Sequence, residues 1–184
     1  PVLSPPMVAL CTRHPAAFQD FLEYRREQEA LAARYAASRA TPEDHAAIGA
    51  AAEAMERHAG ASALDEMARV DLAFHMAVIE AAHNAMLLHV MRSMYDLMAR
   101  GVFARRDRLY RSAETRGALI AQHRRIVGAV LAREPGEAAA AAAAHIDFVA
   151  AAFREAEADS ERGRTARLRR IASGMPERGR GDLA

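Results

Sequence analysis

Lysine and tryptophan are absent from this chain, and cysteine occurs once. All 25 basic side chains are arginine, a bias of the kind GC-rich coding imposes, and it points to no chemistry of its own. The single Cys11 excludes an internal disulfide and a cysteine-based zinc cluster, and a lone thiol fits a reducing cytoplasm. Aromatics make up only 5% of a sequence that is 52% hydrophobic, so alanine carries much of the apolar count. Alanine is the best helix former and β-branched residues are scarce, which favours an all-helical chain. No stretch alternates with period two, so no strand is expected. Neither sign of charge dominates: 25 basic against 24 acidic residues leave +1, too little for a domain-wide attraction to nucleic acid. No apolar run approaches the roughly 18 residues that span a bilayer. The opening PVLSPPMVALC has neither a basic start nor an initiator methionine and is not a signal peptide. A start at Pro1 reads as a beginning inside a longer protein.

The 184 residues suit one domain with its own core. Residues 1–14 read as a proline-rich lead-in, an extended arm or short turn. Residues 15–160 read as an antiparallel bundle of six or seven helices with short turns. A helix is expected over 15–39 with Phe18, Phe21, Leu22, Ala32 and Tyr35 inward. Thr41 caps the next, Pro42 fits its first turn, and Glu43 and Asp44 favour its positive end. That helix runs to about His58 and stops at Gly60. Ser62 and Asp65 have the spacing of a capping box for the following helix. Asn84 caps a fourth helix that Gly101 can kink, and a fifth begins near Ser112 or Glu114 and runs to about Arg133. REPGE is the turn before a helix opened by Glu137 and a run of seven alanines. The basic tail over 161–184, with Arg162, Arg164, Arg167, Arg169 and Arg170, reads as a solvated helix end fraying into disorder, not as a surface for DNA or lipid.

Against this apolar background a few polar residues fall on inward stripes. In RVDLAFHMAVIEAAHN, His75 shares a face with Leu72, Val78, Ile79 and Ala82, and Asp71 precedes it by one turn. His123 interrupts the stripe of Leu119, Ile120, Ile126, Val127 and Val130. His145 interrupts that of Ala141, Phe148, Val149, Ala152 and Phe153. An unpaired polar side chain in such a place costs about 1–3 kcal/mol, and a lone carboxylate far more. One inward histidine is ordinary; three with a carboxylate imply a shared partner. A divalent metal ion held by Asp71, His75, His123 and His145 is the economical one, with zinc first and nickel, iron or manganese also suited to these donors. Open coordination positions would take a small carboxylate or hydroxy acid. Arg25 also faces inward, in an i, i+4 ion pair with Glu29, gripping the carboxylate of a bound acid, or both, with Glu29 orienting it. Arg92 could play a similar part, and the Asn84 amide, besides capping, could reach the pocket. His14, His45 and His58 read as surface, and His83 as a helix cap beside Asn84. Glu80 and His83 form the E-x-x-H pair of di-iron bundles, but no second pair exists. Two rivals to a sensing site are a metal-dependent hydrolase or lyase and a purely structural metal site. The hydrolase or lyase needs a general base beside the metal, and no spare Glu or His is expected on the inward stripes near these four.

The spacing D-x-x-x-H at 71–75, then a histidine 48 positions on and another 22 later, resembles the FadR-type C-terminal effector domain (FCD) of GntR-superfamily transcription factors. FLEYRREQEALAARYAASRATPED, DLAFHMAVIEAAHN, AQHRRIVGAVL and AAAHIDFV carry the likeness, from about Leu3 to Arg170. The resemblance implies an antiparallel bundle of six or seven helices and metal ligands at Asp71, His75, His123 and His145. It also places an effector-holding arginine at Arg25, in EYR. It implies a cytoplasmic homodimer, not an enzyme and not a membrane protein. Operator DNA would be met only through an N-terminal winged helix-turn-helix that these residues lack. SPPMVALCTRHP, LLHVMRSMYDLMARGVFARRDRLY and ARLRRI are similar to the branch answering to glycolate, lactate or pyruvate.

Overall fold

Short links between the helices carry the chemistry that stops one and starts the next. The computed structural model describes residues 4–58, 64–97 and 112–173. These form seven helices and, among the described residues, no strand. The helices are α1 (Ser4–Arg13), α2 (Pro15–Arg39), α3 (Pro42–His58), α4 (Leu64–Ala81), α5 (Ala85–Leu97), α6 (Ala113–Leu131) and α7 (Pro135–Ala172). At the start of α3 the Thr41 hydroxyl accepts the Asp44 N–H at 3.2 Å, and Asp44 Oδ2 accepts the Thr41 N–H at 2.8 Å. This reciprocal box satisfies two donors that the helix cannot pair itself. Asn84 Oδ1 accepts the Leu87 N–H at 3.1 Å, so the expected cap is present, and Ser112 Oγ accepts the Thr115 N–H at 3.3 Å at the start of α6. The expected Ser62 cap, the stop at Gly60 and the kink at Gly101 lie outside the described residues.

Two helices end on left-handed residues that are not glycine, His83 (φ 47°) and Arg133 (φ 55°). At Arg133 the Glu134 N–H reaches Ala129 O at 3.0 Å and the Arg133 N–H reaches Val130 O at 3.1 Å, the bond pair of a Schellman stop. Both side chains earn their position elsewhere. Arg133 Nη2 donates to Ala40 O at 2.9 Å, beyond the end of α2. His83 Nε2 lies 2.7 Å from Asp44 Oδ2. His83 thus closes α4 with its backbone, its N–H reaching Glu80 O at 3.1 Å, and fastens that end to the start of α3 with its ring.

The centre of the bundle is α2, which packs on α1, α4, α5, α6 and α7 and most extensively along α7. Its buried face is Phe18, Phe21, Leu22, Ala32, Ala33, Ala36 and Ala37. Phe18 meets Phe153 of α7 edge to face at 5.2 Å. Five of the seven alanines at 138–144 are buried, and only Ala140 and Ala144, one turn apart, face water.

Four expectations need correction. The lead-in is neither an extended arm nor a short turn: it is helix α1 from Ser4, packed on α2 and α5, with Cys11 buried. Pro5 and Pro6 fall in its first turn, where the missing N–H groups would have had no partner. The basic tail does not fray at 161: α7 continues to Ala172, though among the described residues nothing beyond Phe153 is buried. Finally, α7 is long and apolar enough by length and composition to cross a membrane, but half of that window is buried within the bundle. His45 and His58 are half-buried rather than on the open surface; His58 Nδ1 bonds Ala54 O at 2.7 Å, while His45 Nε2 has no hydrogen-bond partner.

Candidate metal centre

Helices α4, α6 and α7 bring Asp71, His75, His123 and His145 to one point. Each is 4% exposed or less, and one donor atom from each lies within 4.8 Å of every other. Asp71 Oδ1 is 3.5 Å from His123 Nε2 and 3.8 Å from His75 Nε2. The ring centroids are 4.3 Å apart for His123 and His145, 5.1 Å for His75 and His145, and 5.3 Å for His75 and His123.

Three imidazole nitrogens here are buried without a hydrogen-bond partner: His75 Nε2, His123 Nδ1 and His123 Nε2. An unmade hydrogen bond in the interior costs about 1–3 kcal/mol, so a set of such atoms facing one carboxylate needs an explanation. A cation supplies it. Two nitrogen donors about 2.1 Å from one ion are at most about 4.2 Å apart, so donors within 4.8 Å of one another need only a small contraction. Burial holds the His123 ring down at about 3, with the nearby Asp71 opposing and His75 and Arg25 assisting; the ring is neutral and its lone pair is available. The buried cluster could therefore hold a metal ion.

Around the cluster stand Glu29, expected from the sequence only as an ion-pair partner of Arg25, and Tyr95 and Gln122, for which the sequence reading gave no role. Glu29, on α2, is 2% exposed and accepts from both sides. Its Oε2 is 3.1 Å from His75 Nδ1, and its Oε1 is 3.2 Å from Arg25 Nε and is bonded by the Tyr95 hydroxyl. The same hydroxyl accepts from Arg25 Nη2 at 2.9 Å. Burial alone would raise the Glu29 carboxyl; His75 first, then Arg25 and Tyr95, outweigh it and bring it to about 2. Burial also works against the Arg25 charge, but Tyr95, Glu29 and Asp71 hold it above its ordinary range. Burial drives the Tyr95 hydroxyl well up, so it remains a donor. On the far side His145 Nδ1 is 3.0 Å from Gln122 Oε1.

The expectation that no spare glutamate lies near the four is thus corrected, because Glu29 touches His75 directly. It is a poor general base all the same: its carboxyl is ionised down to about 2 and three donors already occupy it. Both readings of Arg25 bear on one residue, since the ion pair with Glu29 is present and the pair is buried beside the cluster. Arg92 is corrected: it is exposed on α5 and pairs with Glu80 at 2.7 Å. The buried stripe of that helix is Leu87, Met91, Met94 and Tyr95, and Arg92 lies about 100° around the axis from Met91. Asn84 is half-buried and spends its side-chain oxygen on the α5 cap. Glu80 and His83, the di-iron rival, are separately engaged with Arg92 and Asp44.

The family described as FCD domain matches residues 20–148. The chain is 35% identical over 147 residues to the Glc operon transcriptional activator of Escherichia coli (strain K12), covering 78% of this chain and 58% of that protein. It is 32% identical over 166 residues to the putative L-lactate dehydrogenase operon regulatory protein of the same strain, covering 90% and 62%. A shorter match, 34% over 77 residues, is to the Uxu operon transcriptional regulator of Escherichia coli (strain K12). The chain thus spans about three fifths of the length of the first two relatives.

Proposed function

Since the chain belongs to the FCD domain family of GntR-type transcriptional regulators, we propose that it is the sensing domain of such a regulator and binds a small 2-hydroxy or 2-oxo carboxylate at a divalent metal centre. Asp71, His75, His123 and His145 are the proposed ligands, and zinc is the first choice for their nitrogen and oxygen donors. The observation that carries this reading is the convergence of four buried donors on one point, three of their ring nitrogens being otherwise unpartnered.

The charge of the site supports a monocarboxylate. Arg25 is positive, Glu29 and Asp71 are negative, and imidazoles that ligate a metal do so as neutral rings, so with the ion left out the buried groups of the loaded site sum to minus one. A divalent ion would supply two positive charges and positions open to oxygen donors, leaving a surplus that one carboxylate neutralises. Arg25, within the same hydrogen-bonded network, is the proposed cation for the acid's other end. A relative named for an L-lactate dehydrogenase operon is consistent with a 2-hydroxy acid. Binding would favour one arrangement of helices in a cytoplasmic homodimer, with a coupling of roughly 1–3 kcal/mol to DNA-binding domains outside these residues.

The test is a thermal-shift panel of glycolate, lactate and pyruvate with and without zinc, nickel and manganese, since a ligand of the folded state raises its melting point. Stabilisation by acid should require metal. The double variant Asp71→Ala, His123→Ala should lose bound metal and the acid response together. A response that persists in this variant rejects the site.

A further inference from the structure

His75 has two ring nitrogens in different circumstances. Nδ1 is 3.1 Å from Glu29 Oε2, whereas Nε2 has no hydrogen-bond partner and faces Asp71 Oδ1 at 3.8 Å. An ionised carboxylate only accepts, so the proton of a neutral imidazole beside it belongs on Nδ1 and the lone pair on Nε2. Glu29 is itself fixed. Arg25 and Tyr95 both donate to its Oε1, and Arg25 also donates to Tyr95, closing a triangle of hydrogen bonds among α2 and α5 residues. All of these side chains are buried.

We propose that Glu29 is the positioning residue of the centre. It holds His75 with the proton on Nδ1 and the Nε2 lone pair toward Asp71 and His123, and the bonds from Arg25 and Tyr95 keep the carboxylate in place for that role. The inference rests on reading the four-residue cluster as a metal centre. It also grades the three imidazoles. His75 donates to a carboxylate, His145 is paired with the amide oxygen of Gln122 at 3.0 Å, and His123 has no hydrogen-bond partner at either nitrogen. Acceptors behind a ligating histidine orient the ring and raise its basicity, and a carboxylate does so more strongly than an amide. His75 is therefore the anchored ligand of the set and His123 the loosest.

Two measurements made without any acid test this. Nitrogen-15 NMR of the histidine rings in the metal-free chain reads the tautomer directly; His75 should carry its proton on Nδ1. Chelator competition reads zinc affinity. Glu29→Gln should weaken zinc binding roughly 10–100-fold, because one amide oxygen cannot serve both His75 and the Arg25–Tyr95 side. Glu80→Gln, on the exposed face of α4, should leave it unchanged. A His75 proton on Nε2, or a Glu29→Gln chain that binds zinc as tightly as the parent, overturns the inference. Should Glu29→Gln fail to fold, the tautomer in the parent chain decides alone. A parent chain that takes up no zinc removes the centre and the inference together. A chain that behaves as expected here yet gains no stability from any acid keeps the inference and loses the sensing function; acid stabilisation with unchanged zinc affinity in Glu29→Gln does the reverse.

Discussion

Helix α7 has two halves that obey different rules. From Pro135 to Phe153 it buries Ala138, Ala139, Ala141, Ala142, Ala143, His145, Ile146, Val149 and Phe153. From Arg154 to Ala172 nothing is buried, and Leu168 and Ile171 stand 59% and 58% exposed. The first half is held by packing on α2 and α6. The second has good helix formers and short-range ion pairs, Arg162 with Asp159 and Arg164 with Glu161. Such pairs contribute only a few tenths of a kcal/mol each. Polarity has a different meaning in each half. Many charges along the distal half need no partner beyond water, whereas one histidine in the proximal half sits buried with three further polar residues from two other helices. Charge count is thus a poor guide to function here, and the place of a polar group in the packing is a good one.

Several changes would break or sharpen that contrast. The largest effect is expected at the buried centre: Arg25→Ala leaves Glu29 without its guanidinium and should cost about 3–5 kcal/mol by urea denaturation of the metal-free chain. Phe153→Ala, at the edge of the packed half and in contact with Phe18, should cost about 3–5 kcal/mol. In the distal half Leu168→Ala should fall within about 0.5 kcal/mol of the parent, and an equal cost at both positions would erase the distinction. Removing zinc with a chelator from protein equilibrated with free zinc at about 100 times its dissociation constant should lower stability by about 2.7 kcal/mol, and should do nothing to the Asp71→Ala, His123→Ala double variant. Thr41→Ala, which opens the box at the start of α3, should cost about 1 kcal/mol. Smallest of all, ending the chain after Ala158 should reduce helical circular dichroism while leaving the denaturation midpoint of the bundle in place; a falling midpoint would show that the distal half is packed after all.

Much of the fold was legible because its signals are local. Pro15, Thr41, Asn84 and Ser112 mark helix starts by their own side-chain chemistry, and each is a start in the structure. The inward places of Asp71, His75, His123 and His145 follow from helical period alone, and all four are buried. What was missed depends on partners far apart in sequence or on a misjudged residue type. The proline-rich start suggests an extended arm or turn, yet Pro5 and Pro6 sit in a first turn, where proline is compatible with a helix. Glu29 carried a usable signal: if Arg25 faces inward, the residue four later does too. Tyr95 carried one as well, since it extends the stripe of Leu87, Met91 and Met94. That Glu29 meets His75, 46 residues away, had no sequence signal, because it depends on how α2 lies against α4. Gln122, half-buried beside His123, had none either.

The alanines that precede His145 act as a shim. Methyl groups are the thinnest spacer that a packed helix face can present, and they set how far the α7 backbone stands from α2 and α6. The reach of the histidine that follows is thus gauged by the smallest side chains in the protein. Thickening that layer by a branch or a ring would lift His145 away from its three companions without touching any of them, so a stretch that looks like filler is a tolerance-critical part.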